Sequence, residues 1–260
     1  MSKKSAVADP LEKAISAHDQ AVRGTEIVLV VDESGSMMHR KEATISAINE
    51  FLDTQKQSPN PAWITMTFFH TMEVRTPISG EDLVKVANLT AKDYNPANGT
   101  PLYDAVGKTV REIEKRRENV KSEDRPAVLF IIVTDGEENS SHEFKKDGIL
   151  ALIKEKETND GWTFVYIGAQ RDAWQDGMQI GTHQANTLGY QAATPAADLT
   201  AFAGTFKTLS ASTVSYRSAV SMARGASSNL STESFFTDPT NLKTDSDPGD
   251  TTTINPDTTP

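Results

Sequence analysis

The chain has 260 residues, a net charge of −10 and a hydrophobic content of 37%, which suits one α/β core with extensions. The acidic balance argues against non-specific nucleic-acid binding, because that binding usually requires a basic face. No apolar stretch reaches the roughly 18 residues expected of a membrane span. The lack of cysteine excludes disulfides, thiolate catalysis and Cys-based zinc sites.

The two ends of the chain differ from its central part. Residues 10–22 are expected to form a helix outside the core pattern, and the basic N-terminus is not followed by the apolar segment of a secretory signal. We therefore expect a cytoplasmic protein, or one packaged inside a particle. Residues 225–260 contain six acidic residues and one lysine, with little apolar content to offset the entropy of ordering. The sequence predicts a helical extension over 1–23, a core domain over 24–224 and a disordered tail over 225–260 with Phe235 and Phe236 as its anchor.

The central part alternates short apolar runs with amphipathic stretches, which predicts an α/β fold. The runs at 27–31 and 127–133 are continuous, as expected for strands buried on both faces of a parallel sheet. The run at 72–78 follows its predecessor so closely that only an antiparallel hairpin can join them. The predicted strands are 27–31, 63–69, 72–78, 127–133, 162–167 and 186–190. The predicted helices are 41–55, the stretch after Thr100, 144–156 and a closing helix with Leu199, Phe202, Phe206, Leu209, Tyr216 and Val220 on its apolar face.

Right-handed crossovers between these elements give a doubly wound, mostly parallel six-stranded sheet of order 3-2-1-4-5-6, with helices on both faces and one antiparallel edge strand. In this order the first and fourth strands flank the switch point, where ligands of open α/β sheets usually bind. Asp32 directly follows the first strand and Asp135 follows the fourth. Their carboxylates are therefore expected to converge.

The loop after the first strand has the composition of a hard-cation site. Ser34 and Ser36 can point the same way as Asp32, and Gly35 allows a tight turn between the serines. Such oxygen ligands suit Mg²⁺, Mn²⁺ or Ca²⁺ better than Zn²⁺, which prefers nitrogen and sulfur. The same residues are also ordinary turn formers, so the loop alone does not decide between a metal site and a turn.

Two further segments favour the metal site. Thr100 stands in Asn98-Gly99-Thr100-Pro101 at the start of a helical pattern, and Asp135 follows the fourth predicted strand. Together with Asp32, Ser34 and Ser36, these residues resemble the metal-ion-dependent adhesion site (MIDAS) of von Willebrand factor type A (vWA) domains. The resemblance extends over residues 20–225, and bacterial and phage members of the family are the most similar in their compact form.

The resemblance implies a Rossmann-like vWA fold in which the hydroxyls of Ser34, Ser36 and Thr100 bind a divalent cation. Asp32 and Asp135 would act directly or through water, and the cation would be Mg²⁺, or alternatively Mn²⁺ or Ca²⁺. These five ligands leave one position of an octahedral ion for an outside carboxylate, which an Asp or Glu of a protein partner supplies in the family. The resemblance therefore implies a metal-dependent protein-binding module for adhesion or assembly, without nucleic-acid binding or membrane insertion.

Charged residues around the metal loop set the expected character of the partner. The rim of the site is expected to consist of Glu33, His39, Arg40, Glu137 and Glu138. Because the acidic members would repel a purely acidic ligand, we expect the partner carboxylate to have basic residues beside it. A solvated loop without a role in binding is the alternative.

Two other functions stay open. A metal-dependent hydrolase, for instance of phosphoesters, would use the cation to activate water and would require a base such as Glu33 or Glu137. A structural subunit would hold the cation without using it for recognition. The sequence has no Gly-x-Ser-x-Gly elbow and no Gly-x-x-x-x-Gly-Lys-Ser/Thr phosphate loop. We therefore expect a protein that is not an enzyme.

Overall fold

The computed structural model describes residues 24–169, 177–190, 194–223 and 230–243. The strands are β1 (Thr25–Asp32), β2 (Ala62–His70), β3 (Glu73–Asp82), β4 (Ala127–Thr134), β5 (Thr163–Gly168) and β6 (Thr187–Gly189). They form one six-stranded sheet of order β3-β2-β1-β4-β5-β6. All neighbouring strands are parallel except β2 and β3, which are antiparallel. The predicted doubly wound sheet with one antiparallel edge strand is confirmed.

Helices cover both faces of this sheet. They are α1 (Lys41–Lys56), α2 (Leu102–Arg117), α3 (Lys146–Asp160) and α4 (Pro195–Met222). One core cluster lies between the sheet and α1 and α4, and a second lies between the sheet and α2 and α3. Successive β1 side chains enter the two clusters in turn, with Leu29 in the first and Val30 in the second. This double burial explains why the apolar run of β1 is continuous rather than alternating.

The closing helix differs in one position from its predicted apolar face. Phe202, Phe206 and Tyr216 are buried in the first core cluster, whereas Leu199 is 36% exposed near the beginning of α4. None of the helices described is both long and apolar enough to cross a bilayer.

The prediction of a disordered tail is wrong for residues 230–243. Leu230 and Phe235 are fully buried and belong to the first core cluster, and the backbone N–H of Phe235 donates to Asn186 Oδ1 at 2.8 Å. Phe236 and Leu242 pack against the same cluster, so a few apolar side chains hold a segment whose composition is otherwise polar. The other tail residues and the predicted helix over 10–22 lie outside the described residues, and the domain boundaries stay predictions.

Candidate metal centre

The predicted metal ligands lie at the carboxyl ends of two neighbouring strands. Val31 of β1 is paired with Val133 of β4, so the residues that follow these strands meet at one edge of the sheet. Asp32 is fully buried there, at the last position of β1. Asp135 comes directly after β4. The strand order therefore positions both carboxylates without any contribution from the outer strands.

A chain of hydrogen bonds joins the first loop to Asp135. The backbone N–H of Ser34 donates to Asp32 Oδ1 at 2.7 Å, and the hydroxyls of Ser34 and Ser36 are 3.0 Å apart. The Ser36 hydroxyl donates to Asp135 Oδ1 at 2.5 Å. The structure thus brings together four of the five predicted ligands through direct contacts.

Thr100, the fifth predicted ligand, lies across a small space next to Gly136. A Cβ atom placed on Gly136 would be 3.1 Å from Thr100 Oγ1, 3.7 Å from Ser36 Oγ and 3.9 Å from Asp32 Oδ2. Oxygen atoms from two segments, the end of β1 with its following loop and the loop before α2, therefore lie within 4 Å of one point, and Gly136 places no side chain there.

The donor atoms of this space are hydroxyl and carboxylate oxygens, which are the ligands that Mg²⁺, Mn²⁺ and Ca²⁺ prefer. The described residues contain no cluster of three or more His, Asp or Glu that could bind a metal. A cation at this edge would thus depend on hydroxyl ligands as well as on carboxylates. The residues present fit a hard divalent cation.

The pKa of Asp32 reflects mainly the burial of its carboxyl group. Burial raises the pKa of Asp32 to about 6, and the charge of Asp135 acts in the same direction. Hydrogen bonds from Thr134 and Ser34 favour the carboxylate and limit the rise, with Thr134 Oγ1 donating to Asp32 Oδ2 at 2.5 Å. A bound cation would favour the ionised form further, since it would supply the charge that burial withholds.

Arg40 supplies a permanent positive charge behind Asp135. Its guanidinium donates to Asp135 Oδ2 at 2.6 Å and contacts Asp198 Oδ2 at 2.7 Å, and its side chain is only 9% exposed. Asp198 lies in the first turn of α4, so Arg40 connects this helix to the metal loops. Asp135 consequently offers one oxygen to Arg40 and the other to Ser36.

The predicted rim is wrong for Glu33 and Arg40. Both are buried, because Arg40 pairs with Asp135 and Asp198, while Glu33 accepts from Arg75 at 2.8 Å and from the backbone N–H of Asn95. Neither side chain is therefore available to a partner.

The other three rim residues divide into two groups. Glu138 is half-buried and accepts hydrogen bonds from the backbone N–H groups of Tyr103, Ser140 and Ser141, so it holds the loop together. His39 and Glu137 are exposed. His39 Nδ1 lies 2.7 Å from the backbone oxygen of Ser36, which can only accept, so Nδ1 carries the proton of this bond.

Several residues that support the site were not assigned a role from sequence. Tyr94 OH donates to the backbone oxygen of Asp32 at 2.5 Å, and Tyr190 OH donates to that of Thr134 at 3.1 Å. Only Thr134 carried a usable signal, because it directly precedes Asp135 at the end of β4. Tyr94 precedes the Thr100 loop, but both tyrosines lie more than fifty residues from the residues they bond, so spacing could not assign them.

A cavity of about 210 Å³ lies beside Gly136. Its lining includes Leu102, Tyr103, Glu137, Glu138 and Gln179. The candidate metal position is thus bordered by a recess with acidic and aromatic walls.

The family of the chain follows from its sequence profile. The profile of the von Willebrand factor type A domain matches residues 26–205. This range contains all five predicted ligands and the strands that carry both core clusters. The chain belongs to the vWA domain family. No curated protein sequence matches it.

Solved structures of low sequence identity share the vWA fold. Proximal thread matrix protein 1 from the mussel byssus, with a zinc-occupied MIDAS motif, has a TM-score of 0.54 and 18% identity, covering 71% of this chain and 46% of that chain. A von Willebrand factor type A structure from Catenulispora acidiphila has a TM-score of 0.51 and 17% identity, covering 75% of this chain and 43% of that one.

A third structure is the pilus adhesin SpaC from Lactobacillus rhamnosus GG, with a TM-score of 0.51 and 15% identity, covering 74% of this chain and 30% of that one. This vWA chain therefore spans less than half the length of each of the three solved chains.

Proposed function

We propose that this vWA domain binds a protein partner through a divalent cation, Mg²⁺ in the first place, held by Asp32, Ser34, Ser36, Thr100 and Asp135. The observation that carries the proposal is the space at Gly136, which is bordered by oxygen atoms of Asp32, Ser36 and Thr100, with Asp135 bonded to Ser36. When bound, the cation supplies an electrophilic position for a carboxylate oxygen of the partner.

The residues of this chain prepare that position through the charge that they leave on the cation and through the bonds that hold the ligands in place. Three of the five proposed ligands are neutral hydroxyls, so the cation keeps enough positive charge to attract an outside anion. Arg40 neutralises part of the charge of Asp135 and fixes the direction of its carboxylate. Tyr94 and Thr134 hold Asp32 from its backbone and side chain, respectively. The site is thus held in place by bonds that do not involve a ligand, which lowers the cost of ordering on binding.

The surroundings of the site favour a partner carboxylate that has a basic residue beside it. Glu137 is exposed and lines the cavity next to Gly136, and Glu138 lines the same cavity while bonded to its own loop. A lysine or arginine of the partner could place its aliphatic part against Leu102 and Tyr103 and its charge near Glu137.

The hydrolase alternative has less support. Of the two bases that the sequence offered, Glu33 is buried and bonded to Arg75, so it cannot take a proton from a water molecule at the surface. Glu137 is exposed to solvent, so it does not lie in the enclosed pocket that a hydrolase would need. Turnover of generic phosphoesters in Mg²⁺ or Mn²⁺ would restore this alternative.

A capture experiment from the lysate of the source organism tests the proposal. Three proteins are immobilised, each in Mg²⁺ and in EDTA: wild type, Ser36→Ala and the control Ser122→Ala. Ser122 is an exposed serine away from the site. In Mg²⁺, we expect wild type and Ser122→Ala to retain the same lysate proteins. We expect these proteins to be lost when EDTA replaces Mg²⁺ and when Ser36→Ala is used. Replacing the acidic residues of the retained protein by amides should then identify the carboxylate. Equal retention under all conditions would contradict the proposal.

A further inference from the structure

The surface between α1 and α4 contains a groove that no described part of the chain covers. It has a volume of about 160 Å³, and its lining includes Ala47, Phe51 and Thr54 from α1 and Phe206, Lys207 and Ala211 from α4. The two phenylalanines form an apolar floor, whereas Glu50, Lys207 and Ala211 are exposed at the edge. The groove lies on the side of α1 and α4, away from the strand ends that carry the metal site.

The first 23 residues contain a segment whose pattern matches such a groove. Asp9, Pro10 and Glu12 are a helix-start signal, with an N-cap residue, a proline at the first helical position and an acidic residue at the third. The positions that follow place apolar or small residues and one histidine three or four apart along one stripe, with mostly polar residues on the opposite side. The stripe consists of Leu11, Ala14, Ile15, His18, Ala21 and Val22.

The point at which the chain enters the sheet lies close to α4. The backbone N–H of Thr25 donates to Pro61 O at 3.1 Å, and Arg217 of α4 donates to the neighbouring oxygen of Asn60. The beginning of β1 is therefore level with residue 217 of α4. At the opposite, carboxyl ends of the strands, Asp198 of α4 contacts Arg40, which is bonded to Asp135. A helix that ends just before β1 could thus run parallel to α4.

The length and register of such a helix fit the groove. A helix over 10–22 is roughly 20 Å long, since each residue rises 1.5 Å. If Val22 lies at the same height along the helix axis as Arg217, the equal rise per residue of the two parallel helices places Ile15 beside Ser210 and Leu11 beside Phe206. These are the levels at which the groove lies on α4.

We propose that residues 10–22 form a helix that lies in the groove between α1 and α4 of the same chain, with Leu11 and Ile15 filling it. The groove edge carries one exposed acid, Glu50, and one exposed base, Lys207, so its charges cancel and the fit of the segment rests on its apolar stripe. The extension would then be a third helix on this face of the domain. The acidic tail is a poorer occupant, because Ile254 is its one large apolar residue after Lys243.

Disulfide trapping in the full chain tests the docking, because the protein has no cysteine of its own. The pair Ile15→Cys with Ala211→Cys is compared with Ser16→Cys with Ala211→Cys, in which the first residue points to the opposite side of the predicted helix. A disulfide requires Cα atoms within about 7 Å. We expect the Ile15 pair to form an intramolecular disulfide at least about tenfold faster than the Ser16 pair, as measured by mass spectrometry after mild oxidation.

Equal rates for the two pairs would overturn the proposal, and a disulfide between two chains would assign the groove to the segment of a second copy instead. Thermal unfolding gives an independent measurement on variants without cysteine. We expect Ile15→Asp to lower the Tm by several degrees and Ser16→Asp to leave it unchanged. Equal Tm values would show that the segment does not occupy the groove and would likewise overturn the proposal.

Discussion

The Arg40 guanidinium donates to Asp135 Oδ2 at 2.6 Å, and the two side chains are 9% and 3% exposed. The same guanidinium contacts Asp198 on α4 and lies over the Tyr190 ring at 5.3 Å from its centroid. A proposed metal ligand is therefore paired with a buried cation of the chain itself. Asp135 would otherwise be a second buried charge beside Asp32.

Arg40→Ala should destabilise the metal-free protein strongly. Removing one partner of a buried pair leaves an uncompensated charge, which typically costs about 3–5 kcal/mol. The loss in the free energy of unfolding should be smaller in saturating Mg²⁺, because the cation would compensate the negative charge of Asp135 in place of Arg40. Urea denaturation in EDTA and in Mg²⁺ measures both values, and Lys92→Ala at an exposed position is the control. A loss that does not depend on Mg²⁺ would contradict the position of the ion beside Asp135.

Gly136→Ala should weaken cation binding with little effect on folding. The added methyl group would lie 3.1 Å from Thr100 Oγ1 and within the space assigned to the ion. Gly148→Ala is the matched control, since a Cβ there meets nothing within 4 Å. Titration calorimetry with Mg²⁺ should show a lower affinity for Gly136→Ala alone. Unchanged binding by this variant would show that the ion, if bound, lies elsewhere.

His183 should make stability depend on pH. The hydrogen bond that His183 donates to Glu157, with the charge of Glu233 nearby, raises the pKa of His183 above its usual value. The stabilisation by its charged form is therefore complete below the unfolded pKa of about 6.5 and is lost as the pH rises through the higher folded pKa. Because the imidazole is 37% exposed, we expect less than about 1 kcal/mol.

Unfolding of wild type and His183→Gln across this pH range measures the effect. The variant should have a flatter dependence of stability on pH, and NMR titration of the imidazole in wild type should give the raised pKa directly. Identical pH dependences would contradict the role of the pairs with Glu157 and Glu233. Glu233 belongs to the ordered part of the tail, so the same experiment reports on how that segment is held.

Most of the fold could be predicted because the decisive signals are local. The continuous apolar runs of β1 and β4 indicate burial on both faces, and the short connection between β2 and β3 permits only a hairpin. Handedness then fixes the strand order. The same order brings Asp32 and Asp135 to one edge, so the composition of three short loops was enough to locate the candidate site.

The rim and the tail could not be predicted because their partners lie far away in sequence. Glu33 is paired with Arg75, and Arg40 is paired with Asp198. Segments that are distant in sequence thus bury charged residues whose loop has the composition of an exposed one. Phe235 was expected as an anchor of the tail, but its contacts with Asn186 and Tyr216 could not be found from sequence. Residue spacing carries no information on such contacts.

The most direct test of the proposed cation site is titration calorimetry of the metal-free chain with Mg²⁺. Wild type is compared with Thr100→Val, which removes one proposed ligand while keeping the shape of the side chain, and with Thr200→Val, an exposed control on α4. We predict one ion per chain for wild type and Thr200→Val. We expect an affinity at least about tenfold lower for Thr100→Val, or about 1.4 kcal/mol. Equal binding by all three proteins, or no binding by wild type to Mg²⁺, Mn²⁺ or Ca²⁺, would contradict the account.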